Sequence, residues 1–196
     1  MEVKLTSMGA LQFKIADRPD EFEQIFRLNF KTFVEEIPQH EVNPERRLVD
    51  KFHTENTYII CKDGEKLLGM LAVRDKRPFS LDLKLENLAS YLPPHDSLCE
   101  IRLLAVEPDR RSTRVFAGLI LMMAKYCDEQ GYDLGIISGT TRQLKMYRNL
   151  GFTPFGPQVG KEGAYYQPMY LTVSALAVSK KFRATSRIFT RPLKQI

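Results

Sequence analysis

Apolar residues fall in two rhythms along the chain. Leu11, Phe13 and Ile15 alternate with polar neighbours, so a first strand is expected within residues 4–15. From Phe22 the period changes. Phe22, Ile25, Phe26, Phe30, Phe33, Val34 and Ile37 recur at three- and four-residue steps, which predicts an amphipathic helix of about five turns. Asp17 is placed to cap it and Pro19 suits its first turn, with Asp20, Glu21 and Glu23 near the positive end of the dipole. Pro38 ends the pattern. Residues 38–50 are polar and read as a loop, either lining a substrate entrance or serving as a surface connection.

Two β-rich runs, 56–61 and 67–73, flank Lys62-Asp63-Gly64-Glu65, and Asp-Gly between apolar runs predicts a hairpin. Residues 77–97 are irregular, with a short helical pattern near 83–91. Residues 98–106 are apolar at most positions except Glu100 and Arg102, as in a central strand covered on both faces. Pro108 stops that strand. A polar loop follows, then a helix over 115–130 that Gly131 closes. Residues 132–138 read as another buried strand. Thr140 or Thr141 caps a short helix carrying Leu144, Tyr147 and Leu150, and Gly151 ends it. Short strands are expected over 152–155 and 165–173, separated by a Gly/Pro loop. The class is therefore α/β (α+β), with a mixed sheet that is antiparallel early and parallel where helix 115–130 crosses between strands.

Charge changes this picture little. The net charge is +5, but residues 172–196 carry +6 and no acid, so the remainder is −1. The basic sign belongs to the tail and says little about the core's ligand. A tail that binds nucleic acid or an anionic membrane surface is one reading; aromatic interleaving there is thin (Phe182, Phe189), and a solvated helix is the better one. No apolar run approaches the roughly 20 residues of a membrane span, and the first residues lack a signal-peptide core. Cys61, Cys99 and Cys127 fit neither a zinc site nor a disulfide framework. They read as reduced thiols of a cytoplasmic protein, and no metal is expected.

The candidate chemistry centres on residues 98–130. A loop that ends at a helix N-terminus presents unpaired N–H groups. With Arg110, Arg111 and Arg114 it forms a candidate cradle for phosphate or pyrophosphate, unless it is only a solvated connection. Glu100 is either a base or the structural partner of Arg102, and Cys99 should point to the opposite face of the strand. Tyr147 is either a proton donor, its phenol being protonated near neutrality, or a ring packed under the sheet. Tyr165 and Tyr166 wall a pocket or fill the last strand. Glu35 and Glu36 are expected to face solvent, and His40, His53 and His95 to lie at the surface.

Two motifs carry a family resemblance. One is Val106-Glu107-Pro108 followed by Arg111; the other is Tyr147-Arg148-Asn149-Leu150-Gly151-Phe152. In order and spacing, over roughly residues 11–173, they resemble the GNAT N-acyltransferase superfamily. The glycines of its acyl-donor motif are replaced by Arg114 and Phe116. Residues 27–36 and Glu100, six positions before Val106, look like the branch of N-acyl amino acid and acyl-homoserine lactone synthases, although the arginine after that glutamate is offset to Arg102.

The resemblance implies a GNAT-like domain over 1–173, with the basic tail over 174–196. It implies a mostly antiparallel sheet flanked by helices, with a V-shaped split between two parallel central strands. It also implies acyl-CoA or acetyl-CoA as donor, or an acyl carrier protein, and a small-molecule amine such as an amino acid as acceptor. The amine attacks directly in a ternary complex, with Glu100 as base and Tyr147 as acid. Backbone at Leu104, Ala105 and Val106 would hold the acyl carbonyl. Arg110, Arg111, Ser112, Thr113, Arg114 and Val115 would hold the donor's phosphates. The competing reading is a non-catalytic binding or regulatory module, as part of a larger fusion.

Overall fold

The computed structural model describes residues 6–8, 10–111, 114–172 and 175. Ser112, Thr113 and the basic tail beyond Ala175 lie outside the described residues.

The first expected strand is a hairpin, β1 (Thr6–Met8) and β2 (Leu11–Ile15). Helix α1 covers Pro19–Phe30, and its N-cap is Arg18 rather than Asp17. The Glu21 carboxylate reaches back to accept from the Asp17 and Arg18 amides at 3.1 and 3.4 Å, and so satisfies the helix entry. Beyond Phe30 the helix widens into a π-helix over Lys31–Glu36, closed where the Ile37 amide donates to the Thr32 carbonyl at 3.0 Å. The hairpin β3 (Thr57–Asp63) and β4 (Lys66–Arg74) turns at Gly64, φ 56°. The long strand is β5 (Leu98–Val106), followed by α2 (Arg114–Gln130), β6 (Leu134–Thr140) and α3 (Leu144–Leu150). Strands β7 (Thr153–Pro154), β8 (Val159–Lys161) and β9 (Ala164–Thr172) complete the sheet. Where a helix was expected near 83–91, turns lead into a 3₁₀ turn at Leu88–Tyr91.

The strand order is β1-β2-β3-β4-β5-β6-β9-β7, with β8 paired to β9. Among the described residues only β5 and β6 run parallel. Helices α2 and α3 cover one face over a core that includes Phe13, Leu71, Leu119, Met123 and Phe152. Helix α2 sits close to the sheet because Gly118 and Gly69 leave room. A Cβ on Gly118 would lie 2.1 Å from the Phe13 ring, and one on Gly69 3.0 Å from Val115. On the opposite face α1 packs over β3–β5, and the 79–92 segment packs over Ile136 and Phe155.

Two features open this sheet. Strands β5 and β6 pair only at Leu98–Leu134, Cys99–Gly135 and Glu100–Ile136; beyond Glu100 they make no ladder. In the β4–β5 ladder Met70 faces Ala105 while Ala72 faces Arg102, so Leu103 and Leu104 together oppose Leu71. That is a β-bulge, and Leu103 sits in it at φ 54°, strained for a bulky side chain. The extra residue flips the strand's alternation. Before it Cys99 and Ile101 face α2; after it Leu104 and Val106 do, while Leu103 and Ala105 pack on the α1 side.

Candidate active site in the split

A cavity of about 530 Å³ occupies the split and the space above it, within the roughly 300–1,000 Å³ of small-molecule sites. Sheet alternation gives it two unlike halves. On the α1 side lie Glu100, Arg102, Ser138, Thr140, Tyr166 and, from the overlying segments, Asp50 and Lys84. On the α2 side lie Leu104, Ile120, Met123, Ile137, Leu150 and Phe152, with Tyr147 among them. Glu100 and Tyr147 therefore line one cavity from opposite faces of the sheet.

Glu100 is fully buried. It accepts from the Ser80 amide at 3.0 Å and from the Ser80 hydroxyl, and Arg102 Nε lies 3.4 Å away. The guanidinium of Arg102 is committed mainly elsewhere. It donates to both oxygens of Asp50 at 2.9 Å and lies over the Phe52 ring, 4.7 Å from its centre. Asn56 and the Phe52 amide also donate to Asp50, at 2.8 and 3.2 Å. Asn56 continues the network to the hydroxyl of Tyr58, which His53 also reaches at 3.3 Å. His53, expected at the surface, is half-buried with its ring edge-on to Phe22 and Phe26. Arg74, also buried, lies over the same ring at 3.9 Å from its centre and pairs with Glu55. Two charges on an apolar strand demand partners. Asp50 and Ser80 supply them, and sequence reading missed both because they come from the 38–50 loop and the irregular segment.

Tyr147 packs its ring against Gly139, where a Cβ would stand 3.0 Å from it, and edge-on to Phe152 at 5.9 Å between centres. Burial pushes its phenol up to about 12, so it is protonated at neutral pH. Tyr166 is raised to about 12 by burial and by the nearby Tyr147. Tyr165 is largely exposed and lies outside the cavity lining. Cys99 turns away from Glu100 toward Cys127, with the sulfurs 3.9 Å apart.

The phosphate-cradle residues are brought together only in part. Ala105, Val106 and Val115 are buried, so a ligand would meet their backbone rather than their side chains. Arg110 lies 3.2 Å from Asp109, and Arg114 is exposed at the start of α2. Arg111 is already engaged: its Nε donates to the Val106 carbonyl at 3.1 Å and its Nη2 pairs with Glu36. Glu35 is exposed as expected and Glu36 is half-buried; each forms a surface ion pair, Glu35 with Arg46 and Glu36 with Arg111. Lys31 pairs with Glu107 at 2.5 Å, so two ion pairs stitch the π-helix to the turn after β5.

A sheet prised apart between its two parallel strands is a fold the chain shares with solved acyl-homoserine lactone synthases and with a putative acetyltransferase of the GNAT family. More narrowly, residues 24–174 match the family model of the N-acyl amino acid synthase FeeM, and the chain belongs to that family. Among solved structures it is similar to BjaI, a CoA-dependent acyl-homoserine lactone synthase solved with SAM and isopentyl-CoA. That match has 22% identity and a TM-score of 0.71, covering 88% of this chain and 83% of that one. It is also similar to FeeM, an N-acyl amino acid synthase from uncultured soil microbes, at 19% identity and TM-score 0.65, covering 86% and 94%. A putative N-acetyltransferase from Lactobacillus plantarum follows at 14% identity and TM-score 0.61, covering 84% and 99%. A search of curated protein sequences gives no match. No helix among the described residues is long and apolar enough to cross a membrane.

Proposed function

We propose that the chain transfers an acyl group from acyl-CoA, or from an acyl carrier protein, to the primary amine of a small molecule such as an amino acid. The observation that carries this reading is a cavity through the sheet that gathers its charged groups on one face, beside Phe33 and Leu103, and is apolar on the other. An acyl chain suits the apolar half and a polar amine the charged half.

In this reading the amine nitrogen attacks the thioester carbonyl within a ternary complex. The C–N bond forms, the C–S bond breaks, and the thiol leaves. Glu100, held in place by Ser80, takes the amine proton directly or through water. Tyr147 gives the departing sulfur a hydrogen bond and then its proton, which solvent restores. Backbone at Leu104, Ala105 and Val106, along the arm of β5 that has left β6, polarises the carbonyl. Arg110, Arg111, Ser112, Thr113, Arg114 and Val115 hold the phosphates of the donor. For Arg111 that requires release from Glu36.

The test follows free thiol with a panel of acyl thioesters and amines. Turnover in the wild type that drops about tenfold or more in Tyr147→Phe is the expected result. Tight donor binding with no turnover on any amine would instead establish a non-catalytic module, the reading that the side chains at Arg114 and Phe116 favour.

A further inference from the structure

Past the last paired residues, Glu100 and Ile136, each lip of the split carries its own polar groups. Ile136 packs against the 79–92 segment and Ile137 toward α2, so Ser138 returns to the face of Ile136 and Glu100. In the β6–β9 ladder Ser138 faces Pro168 and Thr140 faces Tyr166. Ser138 and Tyr166 are therefore diagonal neighbours on one face, a spacing that an aromatic side chain can span. Both line the cavity, as Glu100 does from the other lip. Strand spacing and rise set the Glu100 and Ser138 Cα atoms roughly 8 Å apart before the splay widens the gap. One small group between the two side chains can touch both.

The two lips differ in what they still lack. Glu100 accepts from the Ser80 amide and hydroxyl, and Arg102 Nε lies 3.4 Å away. That leaves about one of the four or so acceptor positions of a carboxylate for a further donor. The Ser138 and Tyr166 hydroxyl oxygens are buried, and among the described residues neither has a hydrogen-bond partner. Buried hydroxyls are seldom left unpaired, because each has given up its water. Two of them side by side on a cavity wall mark where a polar atom of a ligand belongs. Each has lone pairs to offer an N–H.

Resting on the acyl-transfer reading above, we infer that Ser138 and Tyr166 hold the N–H of the acceptor amine that is not transferred, and so select primary amines over secondary ones. A neutral primary amine has two N–H bonds and one lone pair. Glu100 takes one N–H, the hydroxyl wall accepts the other, and the lone pair is left for the thioester carbonyl. As the C–N bond forms and the C–S bond breaks, the proton facing Glu100 passes to that carboxylate. The proton on the hydroxyl wall stays with the amide product. An N-methyl amine has a single N–H. It must either abandon Glu100 or press its methyl group against two hydroxyls that then stay unpaired.

The deciding experiment takes the primary amine with the fastest thiol release in the panel and its N-methyl counterpart. Both are assayed with the wild type, Ser138→Ala, Ser138→Thr and Tyr166→Phe. The wild type should favour the primary amine by about a thousandfold or more in kcat/KM. Ser138→Ala and Tyr166→Phe should each shrink that preference about tenfold, and Ser138→Thr, which keeps a hydroxyl, should retain it. Tyr166→Phe keeps the ring, so a loss there reads the hydroxyl and not room for the methyl group. Its thermal midpoint should hold or rise, because an unpartnered hydroxyl does nothing for the fold. A preference unaltered in both Ser138→Ala and Tyr166→Phe overturns the assignment. So does a change confined to the choice among acyl chains, which places the hydroxyls on the donor. A lowered midpoint in Tyr166→Phe overturns it as well, by giving that hydroxyl a partner in the fold itself. Calorimetric binding of N-decanoylglycine and N-decanoylsarcosine reads the same contact without turnover, since the wall-held N–H survives in the product. Equal affinities there reject the hydroxyl pair. Absence of thiol release with every amine rejects the acyl-transfer reading instead, and the two failures are distinct.

Discussion

Two charge clusters are buried on the same face of this sheet, and they do opposite work. In the first, Glu21 is almost wholly buried and takes Lys14 and Lys62 at 3.2 Å each, while its other oxygen accepts from the Asp17 amide at 3.1 Å. Lys62 also reaches Glu65 at 3.2 Å. Each of these charges is answered from within the chain, and the cluster ties α1 to the β3–β4 hairpin. In the second, Asp50, Arg102 and Glu100 answer one another with help from Ser80, while Lys84 and Lys51 beside them are exposed to solvent. Burial of charge is thus not itself a mark of function. What sets the second cluster apart is that it lines a space large enough for a ligand.

Three substitutions sharpen the contrast. The largest effect is expected from Glu100→Gln. Turnover should fall by about 10²–10⁴-fold, as for loss of a general base, while the thermal midpoint moves little, because an amide oxygen still accepts from Ser80. Unchanged turnover would remove Glu100 from the chemistry. Next comes Glu21→Ala, which leaves the buried Lys62 only the exposed Glu65 as partner and should cost about 1–3 kcal/mol in urea unfolding, leaving turnover intact. Burial alone would raise the Glu21 pKa, but its hydrogen bonds from the Asp17 amide, Lys14 and Lys62 hold it below the ordinary 4.5. A depressed carboxylate stabilises the fold above its unfolded value. That contribution is lost as pH falls below 4.5 through the folded value, so Glu21→Ala should flatten the acid limb of a stability–pH curve. The smallest change is expected from Glu36→Gln. Its ion pair with Arg111 is partly exposed, worth about 0–1 kcal/mol, so stability should barely move. Donor affinity should rise, because Arg111 no longer has to leave a carboxylate. A fall in donor affinity would show instead that Glu36 orients Arg111 for the phosphates.

Much of the frame could be read from the residues because its signals are local. Asp63-Gly64 marked the hairpin, the alternation at Leu11–Ile15 marked the strand, and the apolar run broken by Glu100 and Arg102 marked the centre of the sheet. Glu100 and Tyr147 were legible for the same reason, the one anomalous in its strand and the other set before Gly151-Phe152. What escaped was non-local or energetically subtle. The helical rhythm from Phe22 to Ile37 is the same whether the last turns are α or π. Asp50 and Ser80 sit in segments without periodicity, 52 and 20 residues from their partners Arg102 and Glu100. Leu103 looks like any other residue of an apolar run, and only the pairing with β4 shows that it is one too many.

That surplus residue behaves like a half-step in a spiral stair. Below it the long strand turns its ionic treads toward one wall, and above it the same wall meets oily ones. Excise Leu103, and every tread from Leu104 to Val106 would swap sides and give the passage the wrong lining. The length of this strand is therefore locked, whereas the exposed loop around Val42 bears no such phase.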